Sequence, residues 1–283
     1  MLFRVSSNLI YNLKNPSTFF FAIKCIETGG QRILAENLYT SPQLETEDFS
    51  ASVGMNRFTR ICTFDSGFFQ VRYQADVQTA VRIMDVASLK ADGPASLIPE
   101  AVPFLFPSRY CQSDRLRQHA MDLFGNLNGS YATTAAICDW IYEKVAYKSG
   151  STNEQSSAIE TLEQRQGVCR DFAHLGIALC RAMNIPARYI SCYSHLLNPT
   201  DFHAVFEVFI GGTWYVFDAT RLAPLNGLVR IAIGRDAADV SVCTIFGDPV
   251  LQSTVAISNS LDNGFIPATT ETLAEANQVI ALL

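Results

Sequence analysis

The chain has 283 residues, 48% of them hydrophobic, which is enough to bury one large core or two smaller ones, and the length favours two domains. A net charge of −6 without any Lys/Arg-rich run argues against a nucleic-acid partner. No stretch approaches ~18 uninterrupted apolar residues and the start lacks a signal-like segment, so we expect a soluble, cytoplasmic protein with no membrane partner.

Residues 1–95 are predicted to form an all-β, sandwich-like domain. The segments "FFFAIKCI" and "RILAENLYT" flank Gly29 and Gly30, and "FTRICTF" and "FFQVRYQADV" flank a turn at 65–67 that predicts a hairpin. Prolines then accumulate, which predicts a connector over 96–112 that is neither helix nor central strand, with the domain boundary there.

The pattern after the connector indicates helices followed by strands. Ser113 is a predicted N-cap, and Ser157 with Glu160 forms a capping-box pattern. Beyond Pro186 the hydrophobic period becomes two, in "ARYISCY", "HAVFEVFI" and "TWYVFDAT". We therefore predict an α+β domain over 113–240.

Residues 241–283 are predicted to form a C-terminal extension that could pack back on the first domain. Its "VCTIF" segment is typical of a strand, and "TETLAEANQVIALL" predicts a terminal helix.

The eight cysteines contain no CxxC pair and no Cys/His spacing of the zinc type, so no metal or cofactor is implied. Most are predicted to be reduced packing residues. Cys169 differs because it precedes the apolar face of "GVCRDFAHLGIALCRAMNIPAR", at a predicted helix start, whereas Cys180 belongs to that face. Unpaired N–H groups in a first helical turn favour a thiolate, but this position alone is weak without a histidine partner.

One of the four histidines can be paired with an acid by its register. If Gly211 and Gly212 form a two-residue hairpin turn, Val205 lies opposite Asp218, and His203 shares a sheet face with that aspartate. A slip of one residue would separate them. The alternative is a His and an Asp that make only local hydrogen bonds at strand ends.

Three segments resemble one family: "GVCRDFAHLGIALCRAMNIPARYISCY", "DFHAVFEVFIGGTWYVFDATR" and "VRIAIGRDAADV" look like the bacterial transglutaminase-like superfamily. "PSRYC" and the β-rich start resemble its frequent N-terminal module. The resemblance implies a papain-like core in which a cysteine at a helix N-terminus packs on an antiparallel sheet carrying His and Asp. It makes Cys169 the nucleophile, His203 the base and Asp218 the orienting acid.

Further candidates for substrate-binding or supporting roles are Arg170, Tyr147, His195 and Glu207, with Tyr147 as a candidate oxyanion donor. The sequence departs from many members in having "AVF" after His203 where they carry tryptophan, and it has no counterpart of animal calcium sites.

The implied chemistry is cleavage of an amide bond in a peptide or peptide-like substrate through a Cys169 thioester. Transfer of the acyl group to an amine is the alternative within the enzyme class, and a non-catalytic peptide-binding module is the alternative outside it. The sequence leaves the oligomeric state open.

Overall fold

The computed structural model describes residues 1–50, 55–89 and 97–283. It is a mixed α and β protein with a sheet-rich N-terminal region and an α+β core. The predicted boundary at residue 95 lies outside the described residues. Among the residues described, no helix is both long and apolar enough to cross a membrane.

Two sheets face each other in the N-terminal region. The first has the strand order β15-β1-β6-β3 and the second the order β14-β2-β5-β4. In sequence, these strands are β1 (Leu2–Leu13), β2 (Thr18–Phe21), β3 (Gln31–Ser41), β4 (Thr46–Ser50), β5 (Arg57–Cys62), β6 (Gly67–Thr79), β14 (Cys243–Phe246) and β15 (Pro249–Ser260).

Aromatic rings fill the space between the two sheets. Phe19 of the second sheet lies 5.1 Å from Tyr11 and 4.9 Å from Phe69 of the first, measured between ring centroids. The hairpin predicted at 65–67 is wrong, because β5 and β6 belong to different sheets and the turn carries the chain across the sandwich. Alternation along a strand sets its buried face but does not select its partner.

The C-terminal residues return to the N-terminal region. β15 pairs with β1, β14 pairs with β2, and β16 (Gln278–Leu282) pairs with β7 (Val81–Asp85). The predicted terminal helix is correct only for α5 (Thr270–Glu275) and wrong beyond it. Asn277 adopts a left-handed φ of 53°, which ends the helical path, and the apolar residues that follow pair with β7.

The proline-rich connector contains a 3-10 helix at Pro99–Leu105, so the prediction of a helix-free segment is wrong. Pro99 occupies the first turn, where no backbone N–H is needed. Shorter 3-10 helices lie at Val86–Ser88 and Leu225–Gly227. The buried Arg181 donates hydrogen bonds to the Phe106 carbonyl and the Ser108 hydroxyl, both at 3.0 Å, which fixes the connector on the core.

Four helices cover one side of the core: α1 (Ser113–Phe124), α2 (Ser130–Lys144), α3 (Ala158–Gln164) and α4 (Cys169–Ala182). The capping box of Ser157 and Glu160 is confirmed at the start of α3. Ser113 is the first helical residue rather than the cap, a position that Gln112 takes.

The core sheet is antiparallel, with the order β12-β11-β10-β13. Its strands are β10 (Ala187–Ser194), β11 (His203–Ile210), β12 (Thr213–Phe217) and β13 (Leu228–Gly234). Helix α4 packs on β10 and β11. Gly176 permits this close contact, since a Cβ there would lie 2.6 Å from the Phe206 ring. A short parallel pair, β8 (Ala146–Tyr147) and β9 (Gln166–Gly167), leads into α4.

Candidate active site

The β11–β12 hairpin has the predicted register. The paired residues run from Ile210–Thr213 to Phe206–Phe217, with the turn at Gly211 and Gly212. Their φ values are 58° and 89°, the positive values that a tight two-residue hairpin turn requires and that glycine adopts without strain. The next pair in this register is Val205 with Asp218, so the hairpin carries His203 and Asp218 on one face.

His203 and Asp218 form a buried hydrogen-bonded pair. His203 Nε2 donates to Asp218 Oδ2 at 2.8 Å, and both residues are 2% exposed. The other carboxylate oxygen accepts from the Thr220 backbone N–H at 2.8 Å and from its hydroxyl at 2.7 Å. Burial alone would raise the pKa of Asp218, but the charge of His203 and these hydrogen bonds lower it.

The imidazole is held in its charged form. Burial alone would lower the pKa of His203, but the charge of Asp218, the hydrogen bond to it and the neighbouring Cys169 raise the pKa to about 10. Nδ1 is buried and has no hydrogen-bond partner among the described residues. It is therefore the ring nitrogen left for the thiol.

Cys169 is the first residue of α4 and is half-buried. Its Sγ lies 4.0 Å from the carbonyl oxygen of Phe202, the residue before His203. The helix start is fixed by the buried Asp171, which accepts from the Val168 N–H at 2.9 Å and the Thr152 hydroxyl at 2.6 Å. The thiol therefore occupies a rigid position beside the His–Asp pair.

Tyr147 lies beside the thiol because β8 pairs with β9 immediately before α4. The backbone N–H of Lys148 donates to the Gly167 carbonyl at 2.9 Å, two residues ahead of Cys169. The Tyr147 hydroxyl interacts with both the backbone N–H and the thiol of Cys169, and burial together with the Cys169 charge raises the pKa of Tyr147 to about 12.

The other three candidates lie outside this cluster. Arg170 Nη2 donates to the Asn153 carbonyl at 2.6 Å and to Asp171 Oδ1 at 3.2 Å. His195 hydrogen-bonds the Ser258 carbonyl at 3.0 Å through Nδ1 and packs on two phenylalanine rings. Glu207, fully buried, forms ion pairs with Arg188 and Arg230.

Sequence reasoning missed Thr220 and the full role of Asp171. Thr220 follows Asp218 by two residues, the spacing at which an aspartate side chain accepts a local backbone hydrogen bond, so this signal was available. The Asp171 carboxylate accepts from the N–H of Val168, the residue that caps α4. The signal for this bond was the spacing of three residues between Val168 and Asp171.

A cysteine that begins a helix, next to a histidine fixed by an aspartate on an antiparallel sheet, defines the papain-like class of Cys-dependent enzymes. Residues 117–219 match the profile of the transglutaminase-like superfamily, and residues 1–96 match that of the bacterial transglutaminase N-terminal domain. The chain belongs to the transglutaminase-like superfamily.

The chain is similar to one solved structure over its whole length and to curated proteins over part of it. The crystal structure of a candidate cysteine protease from Cytophaga hutchinsonii is 46% identical, with a TM-score of 0.96 over 100% of this chain and 98% of that one. Uncharacterized protein ML0607 of Mycobacterium leprae is 35% identical over 115 residues, 38% of this chain and 41% of its own. Uncharacterized protein Rv2569c of Mycobacterium tuberculosis is 35% identical over 169 residues, 54% of this chain and 53% of its own. The chain thus spans about half the length of the mycobacterial relatives.

Proposed function

We propose that this protein cleaves an amide bond in a peptide or peptide-like substrate, with Cys169 as nucleophile. The observation that carries the proposal is the orientation of His203: Nε2 is bound to Asp218 at 2.8 Å, which leaves the buried Nδ1 for the Cys169 thiol. The transglutaminase-like core supports the same chemistry.

Before the first half-reaction, the proton of the Cys169 thiol lies on His203 Nδ1, so a thiolate stands beside a charged imidazole. The sulfur of this thiolate attacks the carbonyl carbon. The C–S bond forms, the C–N bond breaks, and His203 returns the proton to the departing amine nitrogen. Asp218 fixes the ring so that Nδ1 points to the thiol throughout. Water then attacks the thioester, His203 accepts the water proton, and the Cys169 thiol leaves as the acid is released.

The developing oxyanion needs two donors. One is the Cys169 backbone N–H, which lies in the first turn of α4 and is not used by the helix. The second is the Tyr147 hydroxyl, which lies against the same N–H. Electrostatic stabilisation by donors fixed in advance is usually the largest catalytic contribution.

Amine transfer would proceed through the same thioester, with a primary amine in place of water. The test is incubation with a peptide library, with and without a primary amine, followed by mass analysis of the products. We expect hydrolysis products, absent with Cys169→Ala. Masses that contain the added amine would favour transfer, and no conversion of any peptide would favour a binding module.

We further propose that the protein works in a reducing, cytoplasmic compartment. All eight cysteines are free, and disulfides are rare in such compartments. Alkylation of intact cells with a membrane-impermeant maleimide should leave Cys169 unmodified, and rapid modification would contradict this location.

A further inference from the structure

The loop between β10 and β11 carries an aspartate directly before the residue whose carbonyl contacts the proposed nucleophile. Asp201 precedes Phe202, whose carbonyl oxygen is 4.0 Å from Cys169 Sγ, and it stands two residues before His203. Its Oδ1 accepts from the Phe202 N–H at 2.8 Å, which fixes the carboxylate against the backbone of the site. The carboxylate is therefore fixed to the backbone of the residue that contacts the thiol.

The other charges near Cys169 are paired. Asp218 is bound to His203, and Asp171 is paired with Arg170. Arg170 also donates to the Asn153 carbonyl, so it is not directed at the thiol. The ion pairs of the described residues near this site are those of Asp171 and Asp218, and among these residues no cationic side chain pairs with Asp201, which is exposed. Asp201 is therefore a carboxylate at this site that is available to a charged group of the substrate.

We propose, on the basis of the proposed function, that Asp201 makes the site prefer substrates with an ammonium or guanidinium group next to the scissile amide. The cation of the substrate would meet the Asp201 carboxylate while the carbonyl carbon lies at the thiol. Opposite charges close to a protein surface attract each other more strongly than they do in bulk water. The preference follows from charge and position and requires no change in the fold.

The electrostatic surroundings agree with this placement. Partial burial raises the pKa of Asp201, although the Phe202 N–H and the charge of His203 oppose the change. The charge of Asp201 also contributes to the raised pKa of Tyr147. Asp201 therefore interacts electrostatically with both Tyr147 and His203, the side chains on either side of the thiol.

Charged thiol reagents test the proposal without any need for catalysis. The probes are methanethiosulfonates with a trimethylammonioethyl or a sulfonatoethyl group; the thiolate displaces methanesulfinate and forms a mixed disulfide. Modification of Cys169 is followed by peptide mapping. We expect Asp201→Asn to lower the ratio of cationic to anionic rates by about tenfold, because a single charge is removed at close range. Asparagine keeps the acceptor for the Phe202 N–H.

Asp65→Asn is the matched control, since it removes the same charge from an exposed turn of the N-terminal region. It should leave the ratio unchanged. At roughly 1 M salt, where the screening length is about 3 Å, the difference between wild type and Asp201→Asn should shrink. An unchanged ratio in Asp201→Asn would overturn the proposal.

A second arm compares cleavage of peptides that contain lysine with matched peptides that contain acetyl-lysine. We expect wild type to favour lysine in kcat/KM and Asp201→Asn to lose that preference while it cleaves the acetylated peptide normally. Equal preference in both proteins would overturn the proposal. If no peptide is cleaved, the proposed function fails, and the reagent ratio still decides the role of Asp201.

Discussion

Cys169 differs from the other thiols of the chain in its surroundings. Cys25, Cys111, Cys138, Cys180 and Cys192 are buried, whereas Cys169, Cys62 and Cys243 are partly accessible. Burial raises the pKa of Cys243 to about 12. Cys62 lies against the Thr18 hydroxyl in the N-terminal sheet, so it serves as an internal comparison for a partly accessible thiol.

We expect brief iodoacetamide treatment at about pH 6 to label Cys169 first. An ordinary cysteine is almost wholly protonated and reacts slowly at that pH, whereas Cys169 lies at a helix start beside the charged His203, the surroundings in which cysteines are reactive. Peptide mapping measures the order, and His203→Ala should slow the labelling of Cys169 but not that of Cys62. Labelling spread over several cysteines would mean that Cys169 is a packing residue.

Asp218→Asn should separate thiol reactivity from turnover. Thr220 donates twice to one oxygen of Asp218, so asparagine would keep its oxygen there and turn its NH₂ donor to His203 Nε2. The imidazole would then lose the partner that fixes its orientation, and we expect turnover to fall by about 10³- to 10⁴-fold, as in other triads. Labelling of Cys169 should fall much less. The measurement is kcat on a cleaved peptide beside the iodoacetamide rate, and a parallel loss of both would contradict the orienting role.

The pKa values of the two buried histidines are shifted in opposite directions. Burial lowers the pKa of His174 well below its ordinary value of 6.5, and Asp218 raises that of His203 to about 10. Carbon-13 shifts of labelled histidine rings should therefore show His174 neutral at about pH 5 and His203 protonated at about pH 8. A His203 ring that is neutral at that pH would contradict the ion pair.

These shifts have opposite effects on stability. Charged His203 stabilises the fold fully below its unfolded value of about 6.5, and this contribution is lost as pH rises through about 10. His174 destabilises the fold as pH falls below about 6.5, because only the unfolded chain binds its proton. In urea unfolding, His174→Phe should reduce the acid-side slope by up to about 1.4 kcal/mol per pH unit.

At the scale of elements, the contact of α4 with β11 sets the position of the thiol. We expect Gly176→Ala to lower the free energy of unfolding by about 1 kcal/mol and at most about 2 kcal/mol, because overpacking costs about 1–3 kcal/mol and the gain in helix propensity offsets about 1 kcal/mol. Urea denaturation measures the change. Gly29→Ala is the control, since a Cβ there would meet nothing within 4 Å. Equal stability of the two variants would contradict the packing.

At the scale of the whole molecule, hydrogen bonds join the N-terminal sheets to the core and to the C-terminal strands. Tyr193 donates to the Ile23 carbonyl at 2.8 Å, and Gln31 donates to the Arg230 carbonyl at 2.8 Å and accepts from its N–H at 2.7 Å. β1, near the start of the chain, also pairs along its length with β15, which follows the core in sequence. These contacts join the N-terminal sheets to the core.

A protease site inserted between β7 and the 3-10 helix at Pro99–Leu105 tests this coupling. After cleavage we expect the two fragments to stay together on gel filtration and to unfold in one transition, because paired strands cross the cut. The uncut insertion protein is the control. Fragments that separate without denaturant would indicate independent domains.

The sequence by itself determined the local features of the protein. Hydrophobic period predicted α2, α4 and the core strands, and the Gly211–Gly212 turn predicted the register that joins His203 to Asp218. These features depend on neighbours within one helix or one hairpin. Short-range sterics and hydrogen bonds decide them, so the sequence pattern is sufficient.

Only the tertiary structure decided which distant segments meet. It separated β5 from β6, paired β16 with β7 where a helix was predicted, and set Tyr147 and the Phe202 carbonyl beside Cys169. Alternation leaves the choice of strand partner open, and a loop carries no periodic signal for the direction of its side chains. Packing across the whole molecule made these choices, because each depends on residues far apart in the chain.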